Sequence, residues 1–437
     1  MPAIYLMKIS KYTLLVILFV FIAIIVVLFV PPFWRNLVVY PRLDKEVAAL
    51  NQLRKQPAAS TGLTTYRGIM HAHSYWSHDS EGTIHDLVFA ARKNSIEFIF
   101  LTDHPRGNMD TFPRGYHGNY DGVLIEPGSE RQKLAIWPLS KNVTDWSTDK
   151  DTLVKNIVQA GGMAFYVHTE EPHNWGNPFY QGMEIYNFHT DTKDERLLPH
   201  IANFLINGKS YRHWALREMF DDQKTILALW DSLNVNRKIV GFSAVDTHEN
   251  QNIRARKLVD GRIQWVGPNA KPFDTVSVNF RNRWLFQEPD ANGWVFKLMI
   301  DTYNEGFNYI TNYVLADTLS VPSLAQHILL GHHYSAFKSL GDANGFLYWA
   351  ENAGHSTSGI LGDSIPLSQA ESLHAISPLP GRFRLVYNGK DVDNPSEESY
   401  EYAWKGPLQK GAYRLELHVR LKNKFVPWIY TNPVYIY

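Results

Sequence analysis

Residues 66–104 read YRGIMHAHSYWSHDSEGTIHDLVFAARKNSIEFIFLTDH, and the changes of texture within this stretch decide the fold class. YRGIM is a short apolar run that leads into His71 and His73, two imidazoles that period-two alternation puts on the same side of an extended backbone. A polar loop follows with His78 and Asp79. From Gly82 onward Ile84, Leu87, Val88 and Ala91 recur at helical spacing, and IEFIFLT then reads as a buried parallel strand ending at Asp103 and His104. The stretch predicts a strand, a helix and a second strand, with imidazoles and carboxylates gathered where the strands end.

The same texture recurs downstream. Strands are expected at Gly122 to Ile125 and at Leu134 to Trp137, then a helix from Asp151 to Ala160 closed by Gly161 and Gly162, then a buried strand MAFYV ending in His168. GMEIYN at 182–187 is the next strand, residues 193–234 are rich in helix, and Lys238 to Ala244 is a strand that leads to Asp246 and His248. Strands alternating with helices, each finishing in a polar residue, predict an α/β chain with a parallel barrel whose C-terminal rim holds the site. Residues 250–274 show little periodicity and are expected to form a loop over that rim. Beyond Gly331 short strands alternate with Gly, Asn and Asp turns, which predicts a small antiparallel β-sandwich over 332–437. His332, His333, His355, His374 and His418, scattered along it, are expected to be structural or surface residues.

One histidine at a strand end is more often a core residue than a ligand. Here His71, His73, His104, His168 and His248, with Glu130 and Asp246, all fall at expected strand ends, and a parallel barrel would bring them onto one rim. The chain has no cysteine, so a metal would have to be held by nitrogen and oxygen, a donor set suited to zinc, manganese or iron. The donors exceed what one ion uses, so two or three divalent ions are expected, with His78 or Asp79 as a further ligand. Arg106 and Arg131, next to the TDH strand end and to Glu130, are candidates for binding a phosphoryl oxygen. His173 and Asp103 are candidate general acids, Asp103 also as a group that orients an imidazole.

His71-Ala72-His73, the loop Ser77-His78-Asp79-Ser80-Glu81-Gly82 and Thr102-Asp103-His104 together resemble the polymerase-and-histidinol-phosphatase (PHP) domain, over roughly residues 64–331. The usual Ser-Asp-Gly loop of that family is here SHDSEG. The resemblance implies a distorted (β/α)7 barrel and a multinuclear centre in which Glu130 bridges ions, Asp246 and His248 supply terminal ligands, and a bridging hydroxide cleaves a phosphate ester. Glu184 and Asn187 match a stretch that recurs at the family's rim, with His189 just beyond. The SHDS loop, GMEIYN and the C-terminal sandwich look most like the branch with carbamate-hydrolysing enzymes, so a carboxylic ester, amide or carbamate substrate is the alternative. A third reading is an inactive barrel serving as a binding or scaffold module.

With 437 residues, 45% of them hydrophobic and 20% charged, the chain has the composition of a globular protein. Its formal net charge is zero, and no nucleic-acid partner is expected without a basic excess. YTLLVILFVFIAIIVVLFV, residues 12–30, carries no charge and as a helix would span roughly 28 Å, close to the hydrocarbon thickness of about 30 Å. Lys8 and Lys11 before it also suit a cleaved leader, but the run is long for one and no small-x-small site follows. Pro31 and Pro32 are expected to stop the helix, with Phe33 and Trp34 at the interface. The expected organisation is a cytoplasmic tip and transmembrane anchor (1–35), a stalk (36–63), the metallohydrolase barrel (64–331) and the sandwich (332–437). A single-pass protein with its catalytic domain outside the cytoplasm would meet a small-molecule or a lipid- or glycan-linked ester.

Overall fold

A computed structural model describes residues 11–57, 61–106, 109–139, 149–191, 197–250, 252–267, 271–290, 293–299 and 302–437. From Lys11 one helical run continues to Gln52, made of α1 (Lys11–Trp34), a single π turn at Arg35–Val39, and α2 (Tyr40–Gln52). The stop expected at Pro31 and Pro32 does not occur. A proline removes an N–H and its ring crowds the carbonyl one turn back, and the turn that follows the pair is widened, with Tyr40 N–H donating to Arg35 O five residues behind. The run is long and apolar enough to cross a membrane, and none of its most apolar stretch is buried.

The chain divides into two compact units, one of residues up to Ala49 with Asp191–Asp221, the other of Leu50–Thr190 with Asp222–Tyr437. In the second, β1 (Thr64–Met70) lies parallel to β2 (Phe98–Phe100), with α3 (Ile84–Lys93) between them in sequence. Thr83 and Asp86 form a capping box that starts α3, and Leu87, Val88 and Ala91 are buried on its inner face. After β3 (Gly118–Tyr120), β4 (Val123–Glu126) continues the sheet parallel to β2. A second sheet holds β5 (Ser129–Arg131), β6 (Leu134–Trp137), β7 (Met163–Tyr166) preceded by α4 (Lys150–Gln159), β8 (Gly182–Asn187) and β9 (Val240–Ala244). Its first three strands are antiparallel and its last three parallel.

Met70, Phe100, Trp137, Phe165, Phe242 and Val314 from both sheets pack into one buried core. The sheets also meet by hydrogen bonds at two seams. At one, Glu130 N–H donates to Thr102 O (3.1 Å), and Asp103 and Ser129 form a parallel bridge. At the other, Asp246 N–H donates to His71 O (2.9 Å) and His73 N–H to Thr247 O (3.1 Å). The seams lie just beyond the C-terminal ends of β1, β2 and β9, with β5 supplying the other side of the first. The architecture is mixed α/β, and among the described residues no ladder closes into a barrel, because antiparallel strands interrupt the parallel order on both sheets.

The helix-rich segment expected before β9 contains α5 (Phe188–Asp191), α6 (Leu197–Asn207), α7 (Arg212–Arg217) and α8 (Lys224–Asn234). Residues 250–274 are not a loop. They begin a four-stranded antiparallel sheet of β10 (Asn252–Lys257), β11 (Ile263–Val266), β12 (Pro272–Val276) and β13 (Trp294–Met299), with a small core of Ala255, Ile263 and Val295. The chain returns through α9 (Tyr303–Tyr309) to β14 (Thr311–Ala316), antiparallel to β1, and α10 (Val321–Leu330), which ends on Gly331 at φ 73°. From β14 the sheet continues without a break into β15 (His333–Ala336) and the antiparallel strands Lys424–Thr431, Gly411–Leu421 and Ser372–Tyr387.

Arg414 ties the C-terminal strands to α8. Its guanidinium is buried and donates to both carboxylate oxygens of Asp231 (2.5 and 2.9 Å) and to Glu416, which also receives Arg384 (2.8 Å) and His418 (2.9 Å). Burial opposes the charge on Glu416, but Arg414 and His418 hold its carboxyl below the usual range. That contribution is therefore present above a pH of about 4 and lost as pH falls through the depressed folded value. Arg414→Met should lose about 3–5 kcal/mol of stability at neutral pH, because Asp231 stays buried without its cation and Glu416 keeps only Arg384 and His418. Urea unfolding at neutral pH and at about pH 3 checks this, with the gap between variant and parent narrowing in acid.

Candidate metal centre

Eight of the nine ligand candidates assemble at the seams in two groups, His71, Glu130, His168 and Asp246 in one and His73, Asp79, His104 and His248 in the other. Within each group one nitrogen or oxygen per residue lies within 4.8 Å of all the others. The local backbone explains the convergence. His71, His168 and Asp246, just beyond β1, β7 and β9, have left-handed φ values of 64°, 53° and 49°. Residues with a Cβ adopt that region at a cost of about 1–3 kcal/mol, and strain of this kind is held at sites where surrounding bonds fix it. Here each strand turns sharply at its ligand residue, which aims the side chain inward.

Every one of the five imidazoles is held by Nδ1 and aims Nε2 at a carboxylate. Nδ1 of His71 meets Glu184, that of His104 lies 3.1 Å from Glu130 O, and that of His248 lies 2.9 Å from Asp246 O. Nδ1 of His73 faces Ser77 Oγ at 3.4 Å, and that of His168 faces Thr190 Oγ1 at 3.3 Å. On the other edge, Glu130 Oε2 lies 3.0, 3.4 and 3.5 Å from Nε2 of His71, His73 and His104, while Oε1 lies 3.2 Å from Nε2 of His168. Asp246 Oδ1 lies 3.3 and 3.2 Å from Nε2 of His71 and His73, and Asp79 Oδ2 is 3.7 and 3.5 Å from Nε2 of His104 and His248. Glu130 and Asp246 thus face both groups.

The electrostatics follow from packing these charges out of water. Burial opposes ionisation throughout, yet the imidazoles hold Glu130 and Asp246 well below the usual carboxylate range. In return the carboxylates overcome burial to raise His71 strongly, His73 to about 9 and His168 to about 10. His104 goes the other way, to about 4, through burial and then the neighbouring charge of His73. Nε2 of His73 and Oδ1 of Asp246 are buried and make no hydrogen bond of good geometry although they are 3.2 Å apart. Buried donor atoms that converge without satisfying one another, around carboxylates that demand positive charge, fit divalent cations with nitrogen and oxygen ligands.

His78 joins neither group. Its ring is more than half exposed, its Nε2 is 3.9 Å from Asp79, and with His104, Pro105, Glu130, Arg131 and Gln132 it lines an open cleft of about 360 Å³. None of the four catalytic candidates enters the groups either. Asp103 is buried and accepts from Ser74 N–H (2.5 Å) and Ser74 Oγ (2.7 Å), so it braces the loop after His73 and touches no imidazole. His173 accepts from Lys150 Nζ (2.8 Å) and donates to His168 O (3.1 Å). Arg106 donates to the carbonyls of Tyr75, Trp76 and Ser77, and Arg131 to Asp110 (2.7 Å) and Ser129 (3.1 Å).

Glu184 is the residue whose role the sequence leaves unassigned. It is buried in β8, bonds His71 Nδ1, accepts His168 N–H (2.7 Å) and receives Asn187 Nδ2 (3.2 Å), which also reaches Asp246 (3.3 Å). The signal for it is a charge in the middle of GMEIYN, a strand buried at every position.

No protein-family model matches the chain, and no curated protein sequence does. A solved structure from Bacteroides vulgatus, a two-domain protein containing a predicted PHP-like metal-dependent phosphoesterase, aligns over 87% of this chain and 99% of its own at 13% identity, with a TM-score of 0.33. A likeness of that size bears on neither the activity nor the details of the site.

Glu184→Gln keeps the volume of the side chain and removes its charge from His71 Nδ1. The variant should fold normally and bind Zn²⁺ or Mn²⁺ about 10–100-fold more weakly, as read by competition with a chromophoric chelator. Unchanged affinity would show that Glu184 only fills space.

Proposed function

We propose that this chain is a membrane-anchored, metal-dependent hydrolase of PHP type, with residues 64–331 as its catalytic body and a phosphate ester as its substrate. The observation that carries this reading is the orientation of the five imidazoles, each tethered through Nδ1 with Nε2 turned toward carboxylates that face both groups. Tethering of this kind fixes the tautomer that leaves Nε2 free to act as a ligand. His71, Glu130, His168 and Asp246 would hold one divalent ion and His73, Asp79, His104 and His248 another, with Glu130 shared. Divalent ions bound there would lower the pKa of water from about 15.7 towards about 7 and offset charge on the attacked group.

The chain's own residues do the rest. Ser77 takes one end of the loop in hand, donating to Asp79 (2.6 Å) and accepting His104 N–H (3.0 Å), so Asp79 and His104 keep their spacing before substrate arrives. Asp103 fixes the backbone between His73 and Ser77 through Ser74. Glu130 and His104 are the group members that line the open cleft, and substrate would enter there, past His78 and Arg131. His78, exposed at that mouth, is our candidate for protonating the leaving oxygen.

One observation favours the second reading, a carboxylic ester, amide or carbamate substrate. Arg106 and Arg131, the guanidinium groups expected to grip a phosphoryl oxygen, are already engaged with backbone carbonyls, Asp110 and Ser129. A panel of nitrophenyl phosphates and carboxylates with the metal-loaded protein separates the two. Chelation should abolish turnover and Zn²⁺ or Mn²⁺ should restore it. Glu130→Gln should fold, bind at least one ion fewer per chain by elemental analysis, and lose about a hundredfold in turnover, on the order of 3 kcal/mol. His78→Ala should lower kcat with metal content unchanged. Full activity and full occupancy in Glu130→Gln would sink the shared-carboxylate assignment.

A further inference from the structure

The unit formed by residues up to Ala49 with Asp191–Asp221 holds a helix whose outer face has no protein to cover it within that unit. In α6, Ala202, Asn203, Phe204 and Asn207 are buried, while Leu198, Ile201 and Leu205 are 65%, 42% and 63% exposed. Positions 198, 201 and 205 fall on one face of a helix, so the chain presents a stripe of three large aliphatic side chains to its surroundings.

Hydrogen bonds fix where that stripe lies along the helical run. Asn207 Nδ2 donates to Pro32 O (3.1 Å), and Asn36 Nδ2 donates to Asn207 Oδ1 (2.8 Å). One turn earlier in α6, Asn203 Nδ2 donates to Tyr40 OH (2.9 Å), and Asn207 Nδ2 also reaches Asn203 Oδ1 (2.9 Å). α6 therefore runs antiparallel to the rod, its C-terminal end level with Pro32 and its middle level with Tyr40. At about 1.5 Å per residue, Pro32 lies roughly 3 Å beyond Val30, the last residue of the uncharged run. Leu205, between the two tethers, lies midway between those levels, roughly 9 Å beyond Val30. The rod is itself apolar and exposed at the same level, with Phe33 at 55%, Trp34 at 59% and Leu37 at 73%. The lipid-facing surface expected of α1 thus continues sideways onto α6.

We propose that α6 is a second membrane-contacting element, a helix whose C-terminal Leu205 meets the lipid headgroups beside the exit of α1, with Ile201 and Leu198 progressively farther out. The asparagine and tyrosine network lets this happen at a polar–apolar boundary, because Asn36, Asn203, Asn207 and Tyr40 satisfy one another on the protected side. A helix bound along its length to the base of the anchor resists tilting of that anchor. This inference rests on the reading of α1 as a membrane span.

The test uses the full-length protein, which has no native cysteine. Single-cysteine variants Val20→Cys, Leu205→Cys, Ile201→Cys, Leu198→Cys and Lys45→Cys are labelled with bimane and reconstituted into vesicles of brominated or ordinary phosphatidylcholine. Quenching by the brominated lipid should be strong at Val20, remove about half the emission at Leu205, decline from Leu205 through Ile201 to Leu198, and be absent at Lys45 on the far part of the rod. Val20 quenched with Leu205 no different from Lys45 would overturn the interfacial helix and leave the anchor standing, which is also the result if a second protein copy covers the face. Val20 unquenched would overturn the anchor and this inference together. Because all the labelled α6 positions are exposed, each variant should retain the circular dichroism of the parent, and a variant that does not is replaced by its neighbour in the stripe.

Discussion

A buried carboxylate without a cation is among the most destabilising things a fold can contain, and this one buries Glu130 and Asp246 side by side with Glu184 close at hand. Everything near the seams is arranged around that constraint. Five imidazoles surround the acids, a carboxylate, backbone carbonyls and hydroxyls hold the outer edge of each ring, and the sheets are joined at the points where these residues emerge. The same arrangement accounts for the left-handed backbone at His71, His168 and Asp246, since a relaxed strand end would direct the side chain along the sheet and not across the gap.

The two seams differ in kind from the core beneath them. Trp137, Phe165 and Phe242 are held by packing, which tolerates small adjustments shared among many neighbours. The polar layer above has no such tolerance, because each imidazole is held at Nδ1 from behind while its Nε2 faces one or two carboxylates in front. Placing that layer on top of a dense aromatic floor gives the imidazoles and carboxylates a rigid support, and the hydroxyls of Ser77 and Thr190 set ring orientation in the places where backbone carbonyls do not reach.

Much of this is legible in the residues themselves. HAH, TDH and DTH are polar pairs at the ends of apolar runs, and five of their six ligand-type residues, all but Asp103, fall in the two groups. Which of His78 and Asp79 turns inward is not legible, since adjacent residues in a loop point to different sides and only the Ser77 hydroxyl, bonded to Asp79, decides it. Glu184 shows as a charge in a buried strand, but its partner could not be read without knowing that His71 turns its Nδ1 that way. The sheet at β10–β13 escaped because β12 is exposed along nearly its whole length, so burial imposes no alternation on its sequence. The mixed strand directions were hidden for a similar reason: Leu134–Trp137 is buried at all four positions and reads like a parallel strand although it is antiparallel on both sides.

The π turn at Arg35–Val39 has a consequence for how this chain can vary. A π turn is equivalent to one residue added to an α-helix, and it rotates everything after it by roughly 100° relative to everything before. The stretch up to Val30 is apolar on all sides and has no preferred face, while Pro32 on one side of the turn and Tyr40 and Leu43 on the other are buried and have one. The turn therefore works as a phase adjuster. Residues could be gained or lost in the apolar segment without changing which way Tyr40 and Leu43 face, so its length is free to drift while the packing beyond it stays in register.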